Sequence, residues 1–233
     1  MNMNENQFQT EIASHIGKML REAFGKGPQA IYVSMDRPFV VVYLRNFLTP
    51  TEKILLKQGQ IRTIQHTRDI VMRSLIPEIK AYLLLLTGMN ILEFYYDWEL
   101  HNHSGIFIGR QFENAPLASG SQEYYAGKEE LHHEISCMSH RIQKRPDQIY
   151  SRMINKRTLL VIRTGVLIDL SKELIRLRDE EHLKQALNRL EKSYLQDNKY
   201  VEQILHTKSV DVFVDWDFVR DKSVIVFILN PIT

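Results

Sequence analysis

The 233-residue sequence contains one cysteine, Cys137, which excludes an internal disulfide and suits a reducing compartment. Long apolar runs are missing too. The longest, near Leu83–Leu86, falls far short of the roughly 18–20 residues that span a bilayer. Residues 1–24 carry polar and charged groups throughout, so no signal peptide is expected there. Neither sign of charge is in excess, since 30 Lys and Arg stand against 28 Asp and Glu, spread evenly. That balance weighs against nucleic acid, whose backbone calls for a basic face. The aromatic and basic residues Tyr32, Phe39, Tyr43, Arg37 and Arg45, which could stack bases, do not overrule it. No Walker motif, Rossmann fingerprint, nucleophile elbow or zinc-protease motif occurs. Gly25-x-Gly27-Pro28 precedes a strand, whereas phosphate cradles precede a helix. These absences are those of a soluble cytoplasmic protein, with no motif that specifies a reaction or a cofactor.

What the chain does have is a repeat, spaced by about 118 residues. Pro28-x-x-Ile31-Tyr32 returns as Pro146-x-x-Ile149-Tyr150, and Arg45 at the end of an apolar run returns as Arg163. Tyr95-Tyr96-Asp97-Trp98-Glu99-Leu100 returns as Phe213-Val214-Asp215-Trp216-Asp217-Phe218. The period is too long for a solenoid, so each copy is expected to be a domain. The expected division is residues 1–110, a linker over 111–128 holding Pro116, Gly120 and Gly127, and a second copy over 129–233. With 44% hydrophobic residues, each half can bury a core.

The first copy opens with an amphipathic helix carrying Phe8, Ile12, Ile16, Met19, Leu20 and Ala23, stopped at Gly25-Lys26-Gly27-Pro28. Strands follow at 31–35 and 39–44. Thr49-Pro50-Thr51-Glu52 then spells a capping box, with Thr49 as N-cap, Pro50 in the first turn and Glu52 closing the box. A long helix runs on through Ile54, Ile61, Ile64, Val71 and Leu75, and Pro77 should kink or divide it. Thr87-Gly88 ends it, and strands at about 91–98 and 105–110 close the copy. The second copy repeats this order, with Leu131, Ile135, Met138 and Ile142 on its first helix. Its long helix, Leu170 through Leu174, Leu177, Leu183, Leu187 and Leu190 to Tyr194, has no interrupting proline. The fold class is therefore α+β: a tandem αββαββ unit, each with a four-stranded antiparallel sheet and helices on one face.

Alternation along the third strand puts Leu92, Phe94, Tyr96 and Trp98 on one face and Glu93, Tyr95, Asp97 and Glu99 on the other. In the second copy Val210, Val212, Val214 and Trp216 oppose Asp211, Phe213, Asp215 and Asp217. Helices are expected on the Trp98 and Trp216 side. The doubled carboxylates are candidates for a cation or a shared proton, against a solvated face or ion pairs Arg45–Asp97 and Arg163–Asp215. His101-x-His103 and His132-His133 lack the three or four convergent ligands that zinc needs, and His132 and His133 diverge by about 100° on a helix. They read as surface histidines, with no metal site. Cys137, between Ile135 and Met138, reads as a buried, inert thiol.

Gly25-Lys26-Gly27-Pro28, Phe47-Leu48-Thr49-Pro50-Thr51-Glu52 and Thr87-Gly88, followed by the closing hairpin, make residues 7–110 resemble a bacterial family. The family is the C component of the Mps system, a sodium-translocating, membrane-potential-generating assembly. The second copy keeps the layout and loses the motifs: Lys144-Arg145-Pro146 replaces the glycine-rich turn, Ile168-Asp169-Leu170-Ser171 the Thr-Pro-Thr-Glu, and Thr207-Lys208 the Thr-Gly. The resemblance implies an accessory to a membrane ion or inorganic-carbon transport system, without established catalysis. The expected function is thus a non-enzymatic interaction protein, cytoplasmic and held near the membrane through protein partners, and open to self-association. Its candidate binding residues are Arg45, Thr49, Pro50, Glu52, Asp97, Arg163 and Asp215. The alternative is a small-molecule sensor or enzyme with a site between the two repeats.

Overall fold

A computed structural model describes residues 4–111, 124–197 and 200–230. Most of the linker expected over 111–128 lies outside the described residues. The chain divides into two compact units, one ending at Glu113 and the other starting at Asn114.

In the first unit, α1 (Glu5–Phe24) is capped by Asn4 and Gln7 in a capping box and ends at Gly25, whose φ of 72° suits glycine. β1 (Ala30–Asp36) and β2 (Phe39–Arg45) form a hairpin. α2 (Pro50–Lys57) and α3 (Ile61–Thr87) follow, then β3 (Ile91–Glu99) and β4 (Ser104–Gln111). The sheet is antiparallel in the order β1-β2-β4-β3. Ile12, Ile16 and Leu20 of α1 and Ile64, Met72 and Leu83 of α3 pack on Val40, Val42, Trp98 and Phe107, the helix-bearing sheet face.

The second unit repeats the plan with α4 (Lys128–Ile142), β5 (Gln148–Asn155), β6 (Thr158–Thr164), α5 (Asp169–Arg176), α6 (Glu180–Asp197), α7 (Tyr200–Leu205), β7 (Lys208–Asp217) and β8 (Lys222–Asn230). Its sheet order is β5-β6-β8-β7. Leu131, Ile135, Leu183 and Leu187 pack on Leu159, Val161, Val214 and Trp216. Both units are the expected α+β fold, with helices on the tryptophan face.

Three details differ from the sequence reading. The long helices are each divided at their start, between α2 and α3 and between α5 and α6, where Gly59 (φ 71°) and Arg178 (φ 60°) turn left-handed. Pro77 lies inside α3 without dividing it. Second, β3 and β7 each carry a bulge, between Ile91 and Glu93 and between Ser209 and Asp211. The extra residue takes Leu92 and Val210 off the core face, leaving them 46% and 47% exposed, and puts Ile91 into the core instead.

The third correction concerns the arginines. Ile31 pairs with Leu44, and its counterpart Ile149 pairs with Arg163. A register shift between Met153 and Asn155 lengthens the second hairpin by one residue. Arg163 therefore stands where the first copy has Leu44, and Arg45 corresponds to Thr164. Because side chains alternate, that slip carries the arginine to the opposite face of the sheet. Arg45 is exposed at the end of β2, whereas Arg163 is fully buried.

Candidate functional site

Two of the three family-like segments, Gly25–Pro28 and Phe47–Glu52, meet at one corner of the first unit, where α1 gives way to β1 and β2 to α2, while the Thr87 carbonyl accepts from Arg37 Nη2 at 3.0 Å in the β1–β2 turn. Thr49 is extended at the N-cap, and its hydroxyl accepts the Glu52 N–H at 3.2 Å. Glu52 Oε2 accepts the Thr49 N–H at 2.8 Å in return. The same carboxylate receives a two-pronged contact from Arg68 of α3: Nε donates to Oε1 at 2.7 Å and Nη2 to Oε2 at 3.0 Å. Nη2 also donates to the Phe47 carbonyl at 2.9 Å, and Lys26 Nζ to the Leu48 carbonyl at 3.0 Å. Gly27 permits the close crossing, since a Cβ there would lie 3.3 Å from the Gly17 carbonyl oxygen.

Arg68 has no exposed surface, and its guanidinium lies 4.3 Å from the Trp98 ring centroid, 4.9 Å from Phe47 and 5.9 Å from Phe24. Removing such an ion from water is costly and is offset only by good geometry and full hydrogen bonding. Glu52 and the Phe47 carbonyl engage Arg68 Nε and Nη2, while the buried Nη1 has no hydrogen-bond partner. Burial alone would raise the Glu52 pKa, but Arg68 and then Thr49 outweigh burial and hold it below the ordinary 4.5. With both oxygens engaged by Arg68 and Thr49, Glu52 fixes the start of α2 and has little freedom for acid-base work. What the corner presents outward is Pro50, Thr51, Lys53 and Ile54, the last 59% exposed.

The second unit solves the same problem with other residues. Arg163 donates from Nη2 to Glu191 Oε2 at 2.6 Å, from Nη1 to Ser139 Oγ at 2.8 Å and from Nε to Ser223 Oγ at 2.8 Å. Its guanidinium lies 5.2 Å from the Trp216 centroid. At the matching positions the first copy has Leu44, Met72, Leu20 and Gly105, all apolar or bare. Conversely, Arg68 and Glu52 are matched by Leu187 and Ser171. Each copy therefore buries one arginine-glutamate pair near its tryptophan, at different positions. The helix start is also rebuilt: Ile168 has no side-chain cap, and Gln143 Oε1 accepts from Ile168 N and Ser171 Oγ instead. Asp221 Oδ1 accepts from Val166 N and Leu167 N.

Glu191 differs from Glu52 electrostatically. It is fully buried, takes one bond from Arg163, and its Oε1 has no hydrogen-bond partner. Burial pushes its carboxyl up, and Arg163 only partly offsets the shift.

Of the seven sequence candidates, Thr49, Pro50 and Glu52 stand together, and the rest are scattered. Arg45 lies two strands away from Asp97 and two residues out of its row, since Asp97 faces Ile106 and Ile106 faces Tyr43. The expected Arg163–Asp215 pair is replaced by two others: Arg163 takes Glu191, and Asp215 takes Lys184 at 2.6 Å. The carboxylates are not on a solvated face either, for Asp97, Glu99, Asp211 and Asp215 are each at most 9% exposed. Glu93 pairs with Arg110 at 2.8 Å and accepts the Tyr95 hydroxyl at 3.0 Å. Cys137 is half-buried, not buried, with its sulfur 3.6 Å from His133 Nε2. His132 is half-buried rather than a surface residue. Its Nε2 and the Tyr125 hydroxyl each lie 2.6 Å from Ser151 Oγ, burial lowers the His132 pKa, and burial raises that of Tyr125 to about 12. Among the described residues, no three His, Cys, Asp or Glu side chains form a metal shell, and no helix is long and apolar enough to cross a membrane.

Arg68 is the residue that sequence reading missed. Its signal was present: it occupies the stripe position between Ile64 and Met72, where a charge is out of place unless paired.

The family model described as "Na+-translocating membrane potential-generating system (MpsC)" matches this chain twice, over residues 4–110 and 128–231. The chain is also similar to YbcI of Bacillus subtilis (strain 168), described as an uncharacterized protein. The two are 26% identical over 99 residues, which is 42% of this chain and 79% of YbcI. No solved structure matches. With both copies matched over nearly their whole length, the chain belongs to the MpsC family, as a tandem duplication of its domain.

Proposed function

We propose that the protein is a non-enzymatic accessory that docks onto a subunit of a membrane-embedded, sodium-translocating assembly, using the start of α2 in the first copy. The observation that carries this reading is the division of labour within Phe47–Ile54. Glu52 turns inward onto Arg68 and exchanges hydrogen bonds with the buried Thr49, and Pro50, Thr51, Lys53 and Ile54 face outward on a helix that they hold in place. A short helix fixed at its first turn and bearing an exposed branched apolar residue is a pre-ordered docking element, which lowers the entropy cost of binding. Arg163 and Asp215 spend their charges on Glu191 and Lys184, which gives them internal roles. The family description supplies the kind of partner, and attachment to the membrane would run through it.

The test is co-purification of the tagged full-length chain from solubilised membranes of its native host, with parent and Ile54→Asp compared. Recovery of a membrane transport subunit by the parent and its loss with Ile54→Asp is the expected result. Equal recovery by both proteins, or no membrane subunit with either, would overturn the reading.

A further inference from the structure

Around α2 and the start of α3 the first copy shows solvent only one sign of charge. Pro50, Lys53, Ile54 and Lys57 follow one another at three- and four-residue spacing, which places them on one side of α2, and all four are exposed. The other side, Glu52, Leu55 and Leu56, turns into the unit. Just beyond the Gly59 turn, Ile61 and Arg62 are exposed as well. Residues 50–63 therefore present Lys53, Lys57 and Arg62 beside two isoleucines, Ile54 at 59% and Ile61 at 36% exposure. Their one acid, Glu52, is buried on Arg68. Among the described residues, none of the three cations has an ion-pair partner.

The second copy is an internal comparison. Its equivalent residues carry Asp169 for Pro50, Glu173 for Ile54, Glu180 for Ile61 and Glu181 for Arg62. Lys172 and Arg176 keep the two α2 cations, but Arg176 pairs with Glu173 at 2.9 Å. A helix of the same length folds at the same place with acids at these positions, so the fold does not require the acid-free, isoleucine-bearing surface of the first copy.

Given the docking role proposed above for α2, we infer that its partner presents an acidic protein segment, with Asp or Glu carboxylates around a small apolar hollow. Ile54 enters the hollow, and Lys53, Lys57 and Arg62 meet the carboxylates at its rim. An apolar centre with a polar rim is the usual anatomy of a protein interface, and complementary charge steers encounter and fixes register. A lipid surface fits less well, since three cations fall short of the about four to eight that mark headgroup-binding clusters. The second copy, with acids at the matching positions, does not compete for such a segment.

The test captures detergent-solubilised membranes of the native host on the immobilised full-length chain. The complex is then treated with a water-soluble carbodiimide, which joins a lysine amine to a touching carboxylate as an amide, with loss of water to the carbodiimide. Lys53→Glu with Lys57→Glu is compared with the parent, and Lys172→Glu with Arg176→Glu is the control; circular dichroism checks that both fold. The expected result is a membrane subunit with an Asp or Glu joined to Lys53 or Lys57. Its recovery should be at least about tenfold lower with the α2 charge variant and unchanged with the α5 one. Suppose instead that recovery is lost with Ile54→Asp but stays within about twofold of the parent in the α2 charge variant, with no amide link. That result would overturn the acidic partner and leave the docking standing. Recovery of no membrane subunit by the parent would overturn both. Binding of the purified chain to phosphatidylcholine vesicles only when they contain phosphatidylglycerol, lost in the α2 charge variant, would assign the cations to lipid and overturn the inference.

Discussion

Replacing Arg68 by leucine removes one half of a buried ion pair and leaves the other half in place. Glu52, only 7% exposed, keeps its bonds to Thr49 but loses two to Arg68, and the Phe47 carbonyl loses its donor. Breaking a buried pair from one side typically costs about 3–5 kcal/mol. Against the ~5–15 kcal/mol that holds a whole domain, that is a large fraction. With an m-value of about 1.5 kcal/mol per molar urea for a unit of this size, the midpoint falls by about 2–3 M. The second copy suggests the compensating change, since it carries leucine and serine at the two positions. Arg68→Leu with Glu52→Ser removes both charges and should recover at least half of the lost midpoint, the remainder being the Glu52 half of the capping box, about 1 kcal/mol. Urea unfolding followed by Trp98 fluorescence, in a Trp216→Phe background, isolates the first unit. A midpoint shift below about 0.5 M for Arg68→Leu, or a double variant no more stable than the single one, would refute the reasoning.

Other consequences concern pH and backbone. Glu52 titrates below 4.5 in the folded protein, so its stabilisation is present above that value and is lost as pH falls through the lowered pKa. Glu191 titrates above 4.5, so its contribution declines as pH rises from 4.5 through the raised pKa. Amide exchange resolved by unit should therefore show acid weakening the first unit through Glu52. Glu191→Gln should flatten the pH dependence of the second unit while leaving the first unchanged. Gly105→Ala should destabilise by roughly 1–3 kcal/mol, because its Cβ would sit 2.4 Å from Trp98 Cε3; thermal melts and Trp98 fluorescence check this. Gly59→Ala should cost about 1 kcal/mol through its φ of 71°, with no steric contact to blame, measurable by urea unfolding.

Much of the fold was legible because its signals are local. The capping box Thr49–Glu52, the glycine ends of α1 and α3 and the alternation in β3 all lie within a few residues of the structure they specify. The tryptophan face was read correctly for the same reason. The bulges at Leu92 and Val210 were not legible, since they depend on pairing with β4 and β8. The Arg45–Arg163 equivalence failed on a single residue inserted in β5, which leaves the sequence repeat looking intact but moves one arginine from surface to core. The buried pairs were hidden by distance along the chain. Arg68 meets Glu52 across two helices, and Arg163 meets Glu191, Ser139 and Ser223 from three separate elements. Only the presence of charges at apolar stripe positions hinted at them.

The most direct measurement is photo-cross-linking in the native host, with a photoreactive residue placed at Ile54 and, for comparison, at Glu173, the exposed counterpart on α5. The account predicts a cross-link from position 54 to a membrane-embedded ion-transport subunit and none from position 173. Equal cross-linking from both positions, or only soluble products from position 54, would contradict it.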